Sequence, residues 1–204
     1  MNYIKVKRVL DVVLSFLGLI ILMPLLLLIC LFIKLDSKGP VVFKQTRLGL
    51  NGNVFQIYKF RSMYVGAEKE GVYEQKGDAR VTRIGRIIRK TSMDEFPQFF
   101  NIIKGDMSII GPRPALTYHP WPFDEYTDLQ KKRFHVRPGL TGLAQINGRK
   151  GLEWDQRIQY DVEYVETLTF HGDFNIFLKT ILVVLTMRNN VNTEITVRNK
   201  KEKN

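Results

Sequence analysis

The chain has 204 residues and carries 31 Lys and Arg against 20 Asp and Glu, a net charge of +11. That length holds one domain beyond a membrane segment, and a single cysteine excludes an internal disulfide or a multi-cysteine metal centre. The basic excess leaves three partner classes open, namely nucleic acid, an anionic lipid surface and phosphorylated small molecules.

Val12 to Ile33 contains no charged residue and has Pro24 near its middle. About twenty helical residues match the hydrocarbon thickness of a bilayer, so the run predicts a membrane helix. Basic residues flank it on both sides: Lys5, Lys7 and Arg8 before, Lys34, Lys38, Lys44 and Arg47 after. Basic flanks favour the cytoplasmic side, and a straight span would push one cluster across. Pro24 lacks the N–H owed to the carbonyl of Ile20 and crowds that turn. A kinked spanning helix and a helix that enters, bends and returns both fit. A cleaved signal peptide fits less well, because the run exceeds a usual apolar region and no small-residue cleavage pattern follows. Cys30 inside the run reads as a packed thiol. With a membrane helix present, lipid and phosphate partners gain over nucleic acid.

Val41–Phe43 and Val54–Tyr58 are β-prone and bracket Asn51-Gly52, a strong turn signal, which predicts a small hairpin. Residues 66–79 read as a mobile polar loop. Arg83 to Lys90 reads as a short amphipathic helix with Ile84, Ile87 and Ile88 on one face. Its arginines, with Arg80, recur every third residue, suiting either the membrane interface or a solvated basic face. Phe96 to Lys104 predicts a helix closed by Gly105. The stiff loops Gly111-Pro112-Arg113-Pro114 and His119-Pro120-Trp121-Pro122 follow. Residues 124–133 read as helical, 137–140 as a turn and 143–146 as a short strand. A helix is expected over 153–168, and a strongly apolar one over 174–187. Fourteen residues span about 21 Å, short of the roughly 30 Å core, so the last helix packs or lies at the interface. The tail, 189–204, is polar and loose.

Three constellations carry candidate chemistry. In Thr91-Ser92-Met93-Asp94-Glu95-Phe96-Pro97, Ser92 and Glu95 fit a capping box. Pro97 argues instead for a helix starting nearer Asp94, where a proline in the first turn is tolerated. Asp94 and Glu95 then stand at a helix mouth beside arginines, which should keep a carboxylate ionised and able to attack phosphorus. Arg113 is held between two prolines, either as an ordinary surface arginine or as a stiff grip on phosphate. Asn147-Gly148-Arg149 allows close backbone approach to a ligand, or is simply a turn. Lys59 and Arg61 add cations just beyond the membrane run. His119, His135 and His171 show no ligand spacing and read as structural.

Together these segments resemble the bacterial sugar transferase family, the small monotopic phosphoglycosyl transferases. The resemblance rests on Lys7-Arg8-Val9-Leu10-Asp11, Pro24, Lys59-Phe60-Arg61-Ser62-Met63, Thr82-Arg83-Ile84-Gly85 and residues 89–98. It continues through Lys104-Gly105-Asp106-Met107-Ser108, Gly111-Pro112-Arg113-Pro114 and Arg137-Pro138-Gly139-Leu140-Thr141-Gly142. It implies an α+β, helix-rich fold with a re-entrant membrane helix broken at Pro24, interfacial amphipathic helices and a small hairpin. Residues 1–36 would be the anchor, 37–188 the catalytic domain at the cytoplasmic face of the bacterial inner membrane, and 189–204 a tail. It further implies that Asp94, with Glu95, attacks the β-phosphate of a UDP-sugar, releases UMP and passes the phosphosugar to a polyprenyl phosphate such as undecaprenyl phosphate. Mg2+ near Asp94 and Glu95 is implied, as are phosphate contacts from Lys59, Arg113 and Arg149. Expected partners are the two substrates, the bilayer and downstream glycosyltransferases in capsule, exopolysaccharide or glycan assembly, with no nucleic acid. Met23 departs from the serine that often precedes the family's helix-breaking proline. Two alternatives remain: a glycosyltransferase releasing UDP, and a non-catalytic, membrane-anchored basic binding protein.

Overall fold

The computed structural model describes residues 3–71, 77–148 and 152–185. α1 spans Tyr3–Asp36, 34 residues with Pro24 inside it, about 51 Å at the usual rise. The proline does not end the helix. By length and composition α1 can cross a membrane, and most of its apolar core is exposed. Leu19, Leu26, Ile29 and Ile33 are its buried stripe, packed with Phe60 and Ile88. Each such side chain contributes about 1.5–3 kcal/mol on burial.

Polar contacts bolt both ends of α1 to the same body. At the start, Lys7 pairs with Asp173 at 2.8 Å, and Asp11 accepts from Ser108 Oγ at 2.7 Å and Ile109 N at 3.0 Å. At the far end, Arg61 donates to the carbonyls of Ile33, Ser37 and Lys38, closing the orphaned last turn. Asp36 accepts from Ile84 N at 3.0 Å. Arg61, read from sequence as an added cation just beyond the membrane run, is therefore a helix cap.

β1 (Val42–Leu48) and β2 (Val54–Phe60) form the expected antiparallel hairpin, from Val42↔Phe60 to Leu48↔Val54. Its tip is longer than a two-residue turn: a short 3-10 turn spans Leu50–Gly52, with Asn51 left-handed at φ 55°. Part of the expected loop is ordered as a 3-10 turn, Ala67–Glu70. α2 (Arg83–Lys90) is capped by Thr82, which accepts from Gly85 N. Ile84 and Ile88 pack toward α1, whereas Ile87 faces outward, 59% exposed.

α3 (Gln98–Lys104) ends at left-handed Gly105, as expected. Arg8 donates to its terminal carbonyls of Ile102 and Ile103 at 2.6 and 3.0 Å. Asn101, fully buried on α3, accepts from Tyr58 N and donates to Gln56 O, fixing α3 on β2.

β3 (Ser108–Ile110) pairs in parallel with β4 (Gly139–Thr141). The sequence reading placed a turn at 137–140 and a strand at 143–146; instead the strand is β4 and α5 (Leu143–Asn147) is a helical turn. Leu143 and Ile146, three apart, pack in one cluster with Ile110, Tyr164 and Ile176, a spacing that a strand would have split between faces. The 124–133 segment resolves into a 3-10 turn Phe123–Glu125, α4 (Asp128–Lys131) and a 3-10 turn Lys132–Phe134. α6 (Trp154–Glu166) and α7 (Phe170–Leu185) complete the body. α7 starts four residues before the apolar run suggested, because Asp173 is buried among the Tyr3 and Tyr164 hydroxyls and Lys7. The polar tail lies outside the described residues.

Candidate functional site

The chain leaves α2 through Ser92, left-handed at φ 60° and ψ 15°, a conformation that costs a non-glycine residue about 1–2 kcal/mol. The reversal sets Met93–Glu95 as a separate 3-10 turn ahead of α3. Ser92 makes no side-chain cap, so the capping-box reading fails. Nor does a helix start at Asp94; Pro97 is the N-cap of α3. The dyad therefore rides on its own turn, between α2 and α3.

Lys59 reaches the dyad from β2 and Arg113 from the stiff Pro112–Pro114 loop. Glu95 takes both: Lys59 Nζ lies 2.8 Å and Arg113 Nη2 2.6 Å from Oε1, with Arg113 Nη1 3.4 Å from Oε2. Arg113 remains 43% exposed, so its guanidinium can reach a ligand. Asp94 is 8% exposed, and its carboxylate takes no hydrogen bond or ion pair among the described residues. The two acids thus occupy different electrostatic states. Burial opposes ionisation of Glu95, but Arg113 and Lys59 outweigh it and hold the carboxyl well below its usual range. Burial pushes Asp94 up; Lys59, Arg89 and Arg113 pull it back without prevailing, and Glu95 adds repulsion. At Asp94 burial thus works against the ionisation that the nearby arginines favour. Burial also lowers Lys59, against the pull of Glu95. Glu95 raises Arg113.

Arg89 belongs to this site and was not singled out from sequence. It donates to Ser62 Oγ at 3.1 Å and acts electrostatically on Asp94. Its signal was present in the arginine periodicity, but Arg83 and Arg86 face outward, and no local pattern marks which arginine turns inward. Arg47, noted only as a flanking charge, also approaches from β1. Arg149 lies outside the described residues.

Two further arginines hold the loop that presents Arg113. Arg133 Nη2 donates to Arg113 O at 2.9 Å, and Arg47 Nη1 to Pro114 O at 3.0 Å. Arg133 is itself fixed by Asp161 of α6 through Nε at 3.1 Å and Nη2 at 2.7 Å, both side chains 2% exposed.

Among the described residues no group of three or more His, Cys, Asp or Glu could hold a metal. The dyad fits a Mg2+ ion only as a partial set: Asp94 is unengaged, while Glu95 is largely occupied by its two cations. Mg2+ sites of this kind use one or two carboxylates and take their remaining oxygens from substrate phosphates and water.

The structure thus joins a helix long and apolar enough to cross a membrane to a body that gathers an acidic pair among converging cations. The chain belongs to the bacterial sugar transferase family, which matches residues 2–187. It is 47% identical over 189 residues to a UDP-glucose:undecaprenyl-phosphate glucose-1-phosphate transferase of Caulobacter vibrioides, covering 90% of this chain and 71% of that protein. It is 41% identical to a UDP-N-acetylgalactosamine-undecaprenyl-phosphate N-acetylgalactosaminephosphotransferase of Aeromonas hydrophila, covering 90% of this chain but 44% of the relative. An uncharacterized sugar transferase, EpsL, of Bacillus subtilis is 40% identical, with 88% and 87% covered. Several relatives are thus more than twice the length the chain spans in them.

Proposed function

We infer that the chain transfers a sugar 1-phosphate from a UDP-sugar to a polyprenyl phosphate. The observation that carries this reading is the asymmetry of the dyad: one buried carboxylate without a partner among the described residues beside another neutralised by two cations. An Asp94 oxygen would bond to the β-phosphorus while the bond from that phosphorus to the bridging oxygen breaks, and UMP leaves. A phosphate oxygen of the acceptor would then bond to the same phosphorus, breaking its bond to Asp94 and restoring the carboxylate. The glycosidic C–O bond stays intact throughout. Phosphoryl transfer depends on positioning and charge neutralisation, and Arg113, Lys59 and Arg89 supply the cations. Glu95 orients Lys59 and Arg113 through its two contacts. Asp94 and Glu95 would hold Mg2+, which when bound neutralises charge on the diphosphate.

The reading places the site at the membrane surface. Both ends of α1 dock on one polar body, which supports a re-entrant anchor over residues 1–36 that leaves its ends on the same side, Pro24 being the point of bending. The face of α1 carrying Phe16, Ile20, Ile21, Leu27 and Leu31 is exposed, as are Phe174, Phe177, Ile181 and Leu182 of α7. Apolar surface of this extent favours lipid over water. Residues 37–188 would then work at the cytoplasmic face of the inner membrane, where the acceptor's phosphate is presented and downstream glycosyltransferases would collect the product.

The test is a panel of UDP-sugars with undecaprenyl phosphate, scored for nucleotide product. UMP is expected; UDP would sink the reading in favour of direct glycosyl transfer. Without acceptor, labelled phosphosugar should remain bound to the wild type and not to Asp94→Asn.

A further inference from the structure

Arg47 is a partly buried cation that pairs with no acid among the described residues. Its Nη1 is given to Pro114 O and its Nη2 to Gln45 Oε1 at 2.5 Å, both neutral acceptors. Its enclosed Nε meets no acceptor among the described residues, and it forms none of the ion pairs found there. Leaving such a donor unmet is costly, and enclosing a guanidinium without a counter-charge more so.

The hairpin register puts Arg47 in the site. Phe43↔Lys59, Gln45↔Ile57 and Arg47↔Phe55 are facing pairs, so Arg47, Gln45 and Lys59 share one face of the sheet. Through Pro114 O, Arg47 also adjoins the loop of Arg113. Its electrostatic neighbours are Arg113, which repels it, and Glu95 and Tyr118, which favour its charge. Glu95 is already taken by Arg113 and Lys59. Lys59 and Arg113 therefore pair with Glu95, and Arg47 stands beside them with no ion pair of its own among the described residues.

We propose that Arg47 is a donor-binding residue, contributing from β1 a third cation to the diphosphate of the nucleotide sugar alongside Lys59 and Arg113. The proposal rests on the function inferred above and extends it to a residue outside the dyad and its two contacts. Carbonyl acceptors hold Nη1 and Nη2, and each of these nitrogens keeps a second N–H. A planar fork held this way suits phosphate oxygens, and a lysine would not reproduce it.

The experiment compares the wild-type chain with Arg47→Met and Arg47→Lys in lipid nanodiscs. UDP-induced shifts in thermal midpoint and steady-state KM values for donor and acceptor are measured. Arg47→Met should lose the UDP-induced shift and raise the donor KM roughly 10- to 100-fold, the effect of one charge-assisted contact. The KM for undecaprenyl phosphate should stay within about twofold, and Arg47→Lys should recover part of the UDP shift. A role confined to holding Pro114 would instead lower kcat with the donor KM unchanged, and that result overturns the proposal. Retention of the full UDP shift by both variants also overturns it. Arg113→Gln and Asp94→Asn in the same assay separate the two levels. If they also leave the reaction intact, the inferred function falls; if they abolish it while Arg47→Met behaves as wild type, only the proposal does.

Discussion

Replacing Arg133 tests whether the stiffness of the Arg113 loop is imposed from a distance. Arg133→Met alone strands Asp161 as a buried, unpaired carboxylate, which should destabilise the fold by about 3–5 kcal/mol. The informative variant is the double replacement Arg133→Met/Asp161→Leu. It removes both charges from a site where each side chain is 2% exposed, and such exchanges are commonly neutral or stabilising. Its thermal midpoint should stay near that of the wild type. What it cannot restore is the 2.9 Å donor to Arg113 O. A displacement of the loop by about 1 Å costs up to roughly 100-fold when a reacting group depends on it, so kcat/KM for UMP release should fall between 10- and 100-fold. The cycle with Arg113→Gln decides the route: once the Arg113 guanidinium is gone, the double replacement should cost little more, because contacting residues are not additive. Full wild-type activity in the double variant would refute the reasoning. So would a loss that simply multiplies with that of Arg113→Gln.

The split dyad predicts opposite stability effects. The raised folded value of Asp94 means its contribution is present at low pH and lost as pH rises through that value. Asp94→Asn should therefore match or exceed the wild type in thermal midpoint at neutral pH while losing activity, and the acid limb of wild-type phosphosugar trapping should lie above the ordinary aspartate range near ~3.9. Glu95 is depressed, so its contribution is present above the unfolded value, near ~4.3, and is lost as pH falls through the folded one. Glu95→Gln should lower the midpoint at neutral pH, with the gap closing in acid. Gly85 has no room for a side chain: a Cβ there would meet Ser62 O at 1.9 Å. Gly85→Ala should lower stability by about 1–3 kcal/mol, read by thermal unfolding, and displace Ser62 from Arg89; an unchanged midpoint would show that α2 can shift freely.

Short-range signals were readable wherever the local chain sets its own geometry. Asn51-Gly52 announced the hairpin, isoleucine spacing announced α2, and Gly105 ended α3 where a left-handed residue was needed. Errors arose where partners lie far away. β4 was read as a turn because the strand it pairs with, β3, is about thirty residues earlier and three residues long. The dyad's turn was read as a helix start because nothing local reveals the reversal at Ser92. Arg61 looked like a site cation, yet it closes the end of α1.

From sequence alone came the long apolar helix, the acidic pair and the identity of its main cations Lys59 and Arg113, because hydropathy and charge belong to residue types and need no neighbours. Folding alone decided which charges pair and which do not. Glu95 draws in both cations while Asp94 next to it is desolvated, and Arg47 and Arg133 turn toward the Arg113 loop. Those outcomes depend on distances between segments far apart in the chain, and electrostatic energy in a poorly polarisable interior varies steeply with distance.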